Sequence, residues 1–375
     1  MVKKIINYSE ILNFYRDKTV LLTGHTGFKG TWLTKILLDA GATVVGYSLE
    51  PPTHPSLFSI LEYDNDKTNK KLINVIADIR DIDRLKETFR EYKPDIVFHL
   101  AAQPIVRESY KEPRYTYETN VMGTVNICEC VRLSIETDYR IKSFLNVTTD
   151  KVYHNNEWNW GYRENDPLDG FDPYSNSKSC SELVTHSYIN SFFKNELNDW
   201  IVPTSTARAG NVIGGGDFAP DRIIPDCIRA IQNSKTLVIR NPNSTRPYQH
   251  VLEPLFTYLT IVARQAIDNT KAGFYNVGPD DCDCVTTGEL VELFGKHYGN
   301  QFKAEINHET HAPHEASFLK LDTSLVKDVF RWKPTWHIDK AIEKTVEWTK
   351  FWFDGKNINE IMSKQIKEFC AASAL

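Results

Sequence analysis

The sequence predicts an α/β protein, a Rossmann-type doubly wound parallel sheet carrying a smaller α+β lobe. Three observations predict it. Short β-branched runs alternate with amphipathic stretches through the first half. A glycine-rich turn sits directly between the first such run and the first such stretch, and after about Arg208 the pattern breaks into Gly/Pro/Asn-rich turns. Parallel neighbours need a crossover connection, so this alternation implies helices covering both faces of a parallel sheet. At 375 residues the chain has room for two domains. Its 41% hydrophobic and 25% charged residues are ordinary globular values. A mean hydropathy of -0.40 leaves no room for several membrane spans. A net charge of -5 argues against a nucleic-acid partner.

Strands are expected at Thr19 to Thr23, Thr43 to Tyr47, Asn74 to Ala77, Asp95 to Leu100 and Lys142 to Thr148, each short and rich in β-branched residues. Helices are expected at Phe28 to Asp39, Ile82 to Glu91 and Tyr115 to Ser134. A division near residue 205 separates a first domain, 1–205, from a mainly second domain, 206–375. Segment 236–278 can return to the first, because Gly273 to Gly278 reads as one more buried strand. The N-terminal residues lack a secretory signal's apolar stretch, which points to the cytoplasm and no membrane partner. The seven cysteines, with C-x-C pairs at Cys128/Cys130 and Cys282/Cys284, then read as reduced thiols. His308, His311 and His314 straddle Pro313 and do not form a stable helical face, so no metal site is expected.

The first strand runs into Thr23-Gly24-His25-Thr26-Gly27-Phe28-Lys29-Gly30 and at once into a helix. Glycines there permit a tight turn, close approach of backbone to a pyrophosphate, and close helix-to-strand packing, while the helix start offers N–H groups to the anion. Dinucleotide binding by Gly24, Thr26, Gly27, Phe28 and Gly30 is therefore expected. The G-x-x-G-x-x-G spacing resembles the extended short-chain dehydrogenase/reductase superfamily, many of whose members act on nucleotide sugars. The resemblance implies that Asp78 and Ile79, at the third strand's end, hold the adenine. It also implies that Ala101, Ala102 and Gln103 lie against the nicotinamide half, and that Asn120 anchors a helix. NAD is the expected cofactor, with NADP open. Glu50 comes slightly late to hold a ribose hydroxyl, and His25 and Lys29 are either partners for a 2′-phosphate or solvated helix-end residues.

Tyr174 and Lys178 stand four apart behind Asp172 and Pro173, a plausible helix cap and first turn. One helical turn puts both side chains on one face. A tyrosine of pKa ~10 is a poor base at neutral pH until a nearby cation lowers that value. In the superfamily a hydroxyl at the preceding strand's end assists this tyrosine, and Thr149 matches it, with Thr148 the alternative.

Thr148-Thr149-Asp150-Lys151-Val152-Tyr153 narrows the reading. Sugar-nucleotide 4,6-dehydratases have Thr-Asp-Glu-Val-Tyr here, the Asp as acid for the departing 6-hydroxyl and the Glu as base at carbon five. A lysine replaces that glutamate. Adjacent strand residues point to opposite faces, so Asp150 and Lys151 can share a site only if the strand ends between them, which is the expectation. The chain resembles the CDP-glucose 4,6-dehydratase family in seven segments in order. They are Gly24 to Gly30, Gly46 to Thr53, Ala101 to Pro104, Thr148 to Lys151, Arg208 to Asp217, Arg246 to Val251 and Pro313 to Ala316. The resemblance implies CDP-glucose as substrate, Tyr174 with Lys178 as the hydride-transfer pair, Asp150 as acid, and a dimer or higher homo-oligomer. Lys151 is then a neutral base, an ammonium steadying the enolate, or a partner for Asp150. Asn211, Arg222 and Arg246 are the candidates for the substrate diphosphate, Arg222 being equally readable as an ion-pair residue. A 4-epimerase and a non-catalytic dinucleotide-binding scaffold are the alternatives.

Overall fold

The computed structural model describes residues 7–63, 71–137, 139–195, 197, 199–239, 241–299, 302–306 and 318–373. Helix α1 (Tyr8–Phe14), capped by Asn7, leads into β1 (Thr19–Thr23), α2 (Phe28–Asp39), β2 (Thr43–Ser48), α3 (Leu57–Ile60), β3 (Leu72–Ile76), α4 (Ile82–Tyr92) and β4 (Ile96–His99). Next come α5 (Val106–Lys111), α6 (Pro113–Tyr117), a π-helical turn at Glu118–Met122, α7 (Gly123–Ser134), β5 (Ser143–Thr149), α8 (Pro173–Tyr188) and β6 (Thr204–Ala209). The second half holds β7 (Val212–Ile213), α9 (Ile223–Gln232), β8 (Leu237–Ile239), β9 (Thr245–Pro247), β10 (Gln249–His250), α10 (Leu252–Ile267), β11 (Phe274–Val277) and β12 (Cys284–Thr286). It closes with α11 (Thr287–Tyr298), β13 (Ala304–Ile306), α12 (Ser324–Phe330), α13 (Ile338–Phe353) and α14 (Ile358–Ala372).

Seven parallel strands form the central sheet in the order β11-β6-β5-β4-β1-β2-β3. The chain reverses direction across the sheet between β1 and β4, and such a switch point opens a crevice beyond the strands' carboxyl ends. One face packs on Trp32, Leu33, Leu259, Val262 and Phe369, the other on Leu85, Ile127, Val131 and Phe193. A sheet covered on both faces explains why its strands read as continuous apolar runs. Each such fully buried side chain contributes ~1.5–3 kcal/mol. A separate core of Ile224, Ile228, Leu290, Phe294 and Ile342 organises the second lobe.

The expected elements differ from the observed ones in informative places. The helix expected from Tyr115 to Ser134 is split by the π turn, in which Asn120 sits. The division expected near residue 205 falls inside β6, which pairs with β5 from Phe144↔Thr204 to Thr149↔Ala209. Strand β11 extends the sheet beyond β6, so segment 236–278 returns only through α10 and β11, while β8 pairs with β13. Thr204–Ala209 has no large apolar side chain, and nothing in it separates a central strand from a connecting loop. The histidines at 308, 311 and 314 and the segment Pro313 to Ala316 lie outside the described residues. Among the described residues no helix is long and apolar enough to cross a membrane.

Candidate active site

The turn after β1 is built for close approach. Gly24 has φ +78, and a Cβ there would lie 2.9 Å from the Ala101 nitrogen. A Cβ on Gly30 would meet the Gly24 carbonyl oxygen at 2.0 Å. Gly27 starts α2 with no side-chain cap, which leaves the helix's first N–H groups to an anion and fits a dinucleotide pyrophosphate. Thr26 closes the turn onto β2, its Oγ1 donating to the Leu49 carbonyl at 2.9 Å. His25 is buried beneath β2, 2.9 Å from Ser48 Oγ, and burial pushes its pKa down to about 4. It is neither a solvated helix-end residue nor a cation for a 2′-phosphate, because a neutral ring under Gly46 reaches neither.

Asp78 pairs with Arg80 at 2.7 Å, and Arg80 continues to Glu118 at 3.1 Å. That guanidinium holds the Asp78 carboxyl below the usual carboxylate range. Ile79 is buried against Gly123, and Asn126 donates to its carbonyl. Beyond β4, the Ala101 N–H donates to Thr23 Oγ1 at 3.1 Å, and Ala102 leads to the buried Gln103. The Gln103 N–H donates to Asn120 Oδ1 at 2.8 Å, while Asn120 Nδ2 donates to the Gln103 carbonyl and to Ser177 Oγ. One side chain in the π turn thereby ties the β4 exit to α8.

Strand β5 ends at Thr149, one residue past the Thr148 expected for the strand and one before the break expected between Asp150 and Lys151, and Asp150–Val152 form a 3-10 turn. That turn breaks the up-and-down alternation and brings both side chains together. Thr149 Oγ1 and Lys151 Nζ each donate to Asp150 Oδ1 at 2.9 Å, and Lys151 Nζ also donates to Asn211 Oδ1 at 3.1 Å. The Asp150 side chain is buried, and its Oδ2 has no partner among the described residues. Thr148 turns the other way, donating to Glu182 within a buried network with Thr206 and Arg208.

Asp172 caps α8 by accepting from the Ser175 N–H at 3.0 Å, which sets Tyr174 and Lys178 one turn apart. Burial pushes the Tyr174 phenol up to about 12; a hydrogen bond with Thr149 and the charge of Arg222 act against that, and Asp150 adds to it. Lys178 donates to the Val147 carbonyl at 3.2 Å, and burial with the nearby Lys29 lowers its pKa to about 8. Arg222 is the cation that acts on the Tyr174 phenol, while the Lys178 ammonium is turned to the β5 backbone. Arg222 itself pairs with the buried Asp217 at 2.9 Å. Arg246, buried in β9, donates to the Thr245 carbonyl, and in the next strand, β10, the Gln249 N–H donates to the Asn211 carbonyl. The sequence reading did not single out Arg80 or the Arg208–Glu182 pair. A charged residue inside a buried strand was the one signal for Arg208.

A family model described as GDP-mannose 4,6 dehydratase matches residues 21–345. The chain is 44% identical over 364 residues to a CDP-glucose 4,6-dehydratase of Salmonella typhimurium, covering 96% of this chain and 98% of that one. Two solved structures share the fold. A UDP-glucuronic acid 4-epimerase from Bacillus cereus, in complex with UDP-glucuronic acid and NAD, aligns with TM-score 0.74 at 21% identity, over 89% of this chain and 99% of that one. A dTDP-glucose 4,6-dehydratase from Bacillus anthracis, in complex with NAD, aligns with TM-score 0.72 at 20% identity, over 91% and 99%. Epimerase and dehydratase share this fold, so the fold alone does not choose between them. The family model and the near-full-length relative do assign the chain: it belongs to the GDP-mannose 4,6 dehydratase family.

Proposed function

We propose that the protein is a CDP-glucose 4,6-dehydratase that converts CDP-glucose to CDP-4-keto-6-deoxyglucose with NAD. One observation carries the reading: Asp150 Oδ1 is shared by the Lys151 ammonium and the Thr149 hydroxyl, each at 2.9 Å. An acid and an amine side by side are what elimination across carbons five and six needs, and a 4-epimerase has no use for them. The name of the 44% identical relative supports the nucleotide.

Gly24, Thr26, Gly27, Phe28 and Gly30 would hold the pyrophosphate, Asp78 and Ile79 the adenine, and Ala101, Ala102, Gln103, Tyr174 and Lys178 the nicotinamide half. NAD supplies, when bound, a hydride acceptor that becomes the donor within the same turnover. His25 is neutral and buried, which favours NAD over NADP. With the positive nicotinamide bound beside it, Tyr174 would stand as the phenolate and take the proton of the sugar 4-hydroxyl as carbon four is oxidised to the ketone. A proton moving from Lys151 to Asp150 along their hydrogen bond turns an ammonium–carboxylate pair into an amine and a carboxylic acid. The amine removes the carbon-five proton, which the ketone has acidified, and the acid protonates the departing 6-hydroxyl. Once carbon six has been reduced by the bound cofactor, Lys151 returns its proton to carbon five. The proton left on Tyr174 runs back through Thr149 and Asp150 to Lys151, which restores every group. The substrate has lost one water and the cofactor is unchanged. Asn211 orients Lys151, and Arg222 and Arg246 face the diphosphate.

The test is incubation with CDP-glucose in deuterated water. A product lighter by one water with deuterium at carbon five supports the reading; an isomer of unchanged mass overturns it in favour of epimerisation. The same reading puts the enzyme in the cytoplasm, as a source of deoxysugars for a surface polysaccharide such as lipopolysaccharide. It also makes the enzyme a homodimer through α7, α8 and the π turns beside them, where Met122, Leu183 and Phe192 are exposed.

A further inference from the structure

Lys29 is the second residue of α2, and the sequence alone offered it only the ribose end of the cofactor or bulk solvent. It has neither. The charged groups that act on it are Arg222, Asp150, Lys151 and Asp217, and it acts in turn on Lys178. The start of α2 packs on the loop that carries Asp217. A Cβ on Gly214 would meet the Phe28 ring at 3.2 Å, and Trp32 Nε1 donates to the Gly215 carbonyl at 3.0 Å. Lys29 therefore stands at the seam between the phosphate-binding turn and the second lobe. Both carboxylates there are already engaged, Asp150 with Lys151 and Asp217 with Arg222, each at 2.9 Å. Among the described residues Lys29 makes no hydrogen bond or ion pair.

A half-buried ammonium without a counter-charge is costly, and burial pushes this one down to about 8. An arriving anion would satisfy it. The cofactor's pyrophosphate already has the free N–H groups at the start of α2, whereas the groups around the Lys29 ammonium belong to the substrate side. We propose that Lys29 binds the diphosphate of the sugar nucleotide beside Arg222 and so holds the sugar over Asp150 and Lys151. This rests on the reading of the site as one for a nucleotide diphosphate sugar. A lysine suits the task because a compact point charge can serve phosphate oxygens that a planar guanidinium does not reach.

The experiment titrates CDP and cytidine into the full-length protein by calorimetry for wild type, Lys29→Met and Lys29→Arg. Cofactor content is read from the absorbance released on denaturation, and folding from Tm. The expected result for Lys29→Met is CDP binding weakened at least tenfold and a matching rise in KM for CDP-glucose. Cytidine binding, cofactor content and Tm stay as in wild type, and Lys29→Arg recovers most of the CDP affinity. Unchanged CDP affinity in Lys29→Met overturns the proposal, and if cofactor is lost at the same time the phosphate served is the pyrophosphate instead. Should wild type bind CDP but never release water from CDP-glucose, the dehydratase reading fails while the CDP titrations still decide Lys29.

Discussion

Lys151 is the residue on which the proposed chemistry turns, because in this chain an amine stands where related dehydratases carry a glutamate. Lys151→Met keeps the length of the side chain and removes the proton carrier. It should leave bound cofactor at wild-type levels yet slow turnover by about 10²–10⁴-fold, the usual worth of one general base. Exchange of the carbon-five proton with deuterated solvent should vanish, and wild-type exchange in the variant would refute the base role. Thr149→Val is isosteric and cuts the line from Tyr174 to Asp150, so both the oxidation and the return of the proton should suffer. We expect kcat to fall more than tenfold with KM nearly unchanged, and a change confined to KM would show that Thr149 only shapes the pocket. These residues were legible in the sequence because their spacing along one strand end and one helix turn is local. The surroundings of Lys29 were not, since Asp150, Lys151, Asp217 and Arg222 all come from segments more than a hundred positions further along the chain.

At the scale of elements, the alternation of strand and helix was legible wherever apolar residues mark it. Strand β1 and helix α2 coincide with their expected bounds. Periodicity could not show the π turn at Glu118–Met122, because one wider turn leaves the apolar pattern nearly intact while re-aiming Asn120. A second hidden feature lies at the start of α10. Glu253 is buried there, its Oε1 accepting the N–H groups of Thr335 and Trp336 at 2.9 and 2.6 Å, and burial raises its pKa to about 8. A carboxyl raised in the folded state contributes stability that is complete below its unfolded value near 4.5 and is lost as pH rises toward about 8. Glu253→Gln keeps the accepting oxygen and removes the titration. Its Tm should therefore exceed that of wild type by roughly 2–6 °C at pH 8.5 and converge with it near pH 5. Parallel Tm-against-pH curves for the two proteins would show that Glu253 does not titrate in this range.

For the whole molecule, the parallel sheet was legible, while the division expected near residue 205 falls inside that sheet, which runs on through β6 and β11. The groups proposed as acid, base and phosphate partners therefore come from both sides of that position, tied by Lys151 with Asn211 and by the contact of α2 with the Asp217 loop. The remaining large-scale feature is the outer surface of α7 and α8. Leu183 of α8 is 54% exposed, and Met122 and Phe192, in the π turns Glu118–Met122 before α7 and Ile189–Phe193 after α8, are 50% and 43% exposed. Exposed large apolar side chains mark an association surface, and a two-fold dimer would set each helix pair against its copy. A charge in the middle of such an interface would be buried without a partner and would cost several kcal/mol per dimer, enough to move dissociation by more than a hundredfold. Leu183→Glu should therefore sediment as a monomer at micromolar concentrations at which wild type sediments as a dimer or larger, with a lower Tm and with CDP still bound. Identical sedimentation of the two proteins would mean that this face does not carry the association.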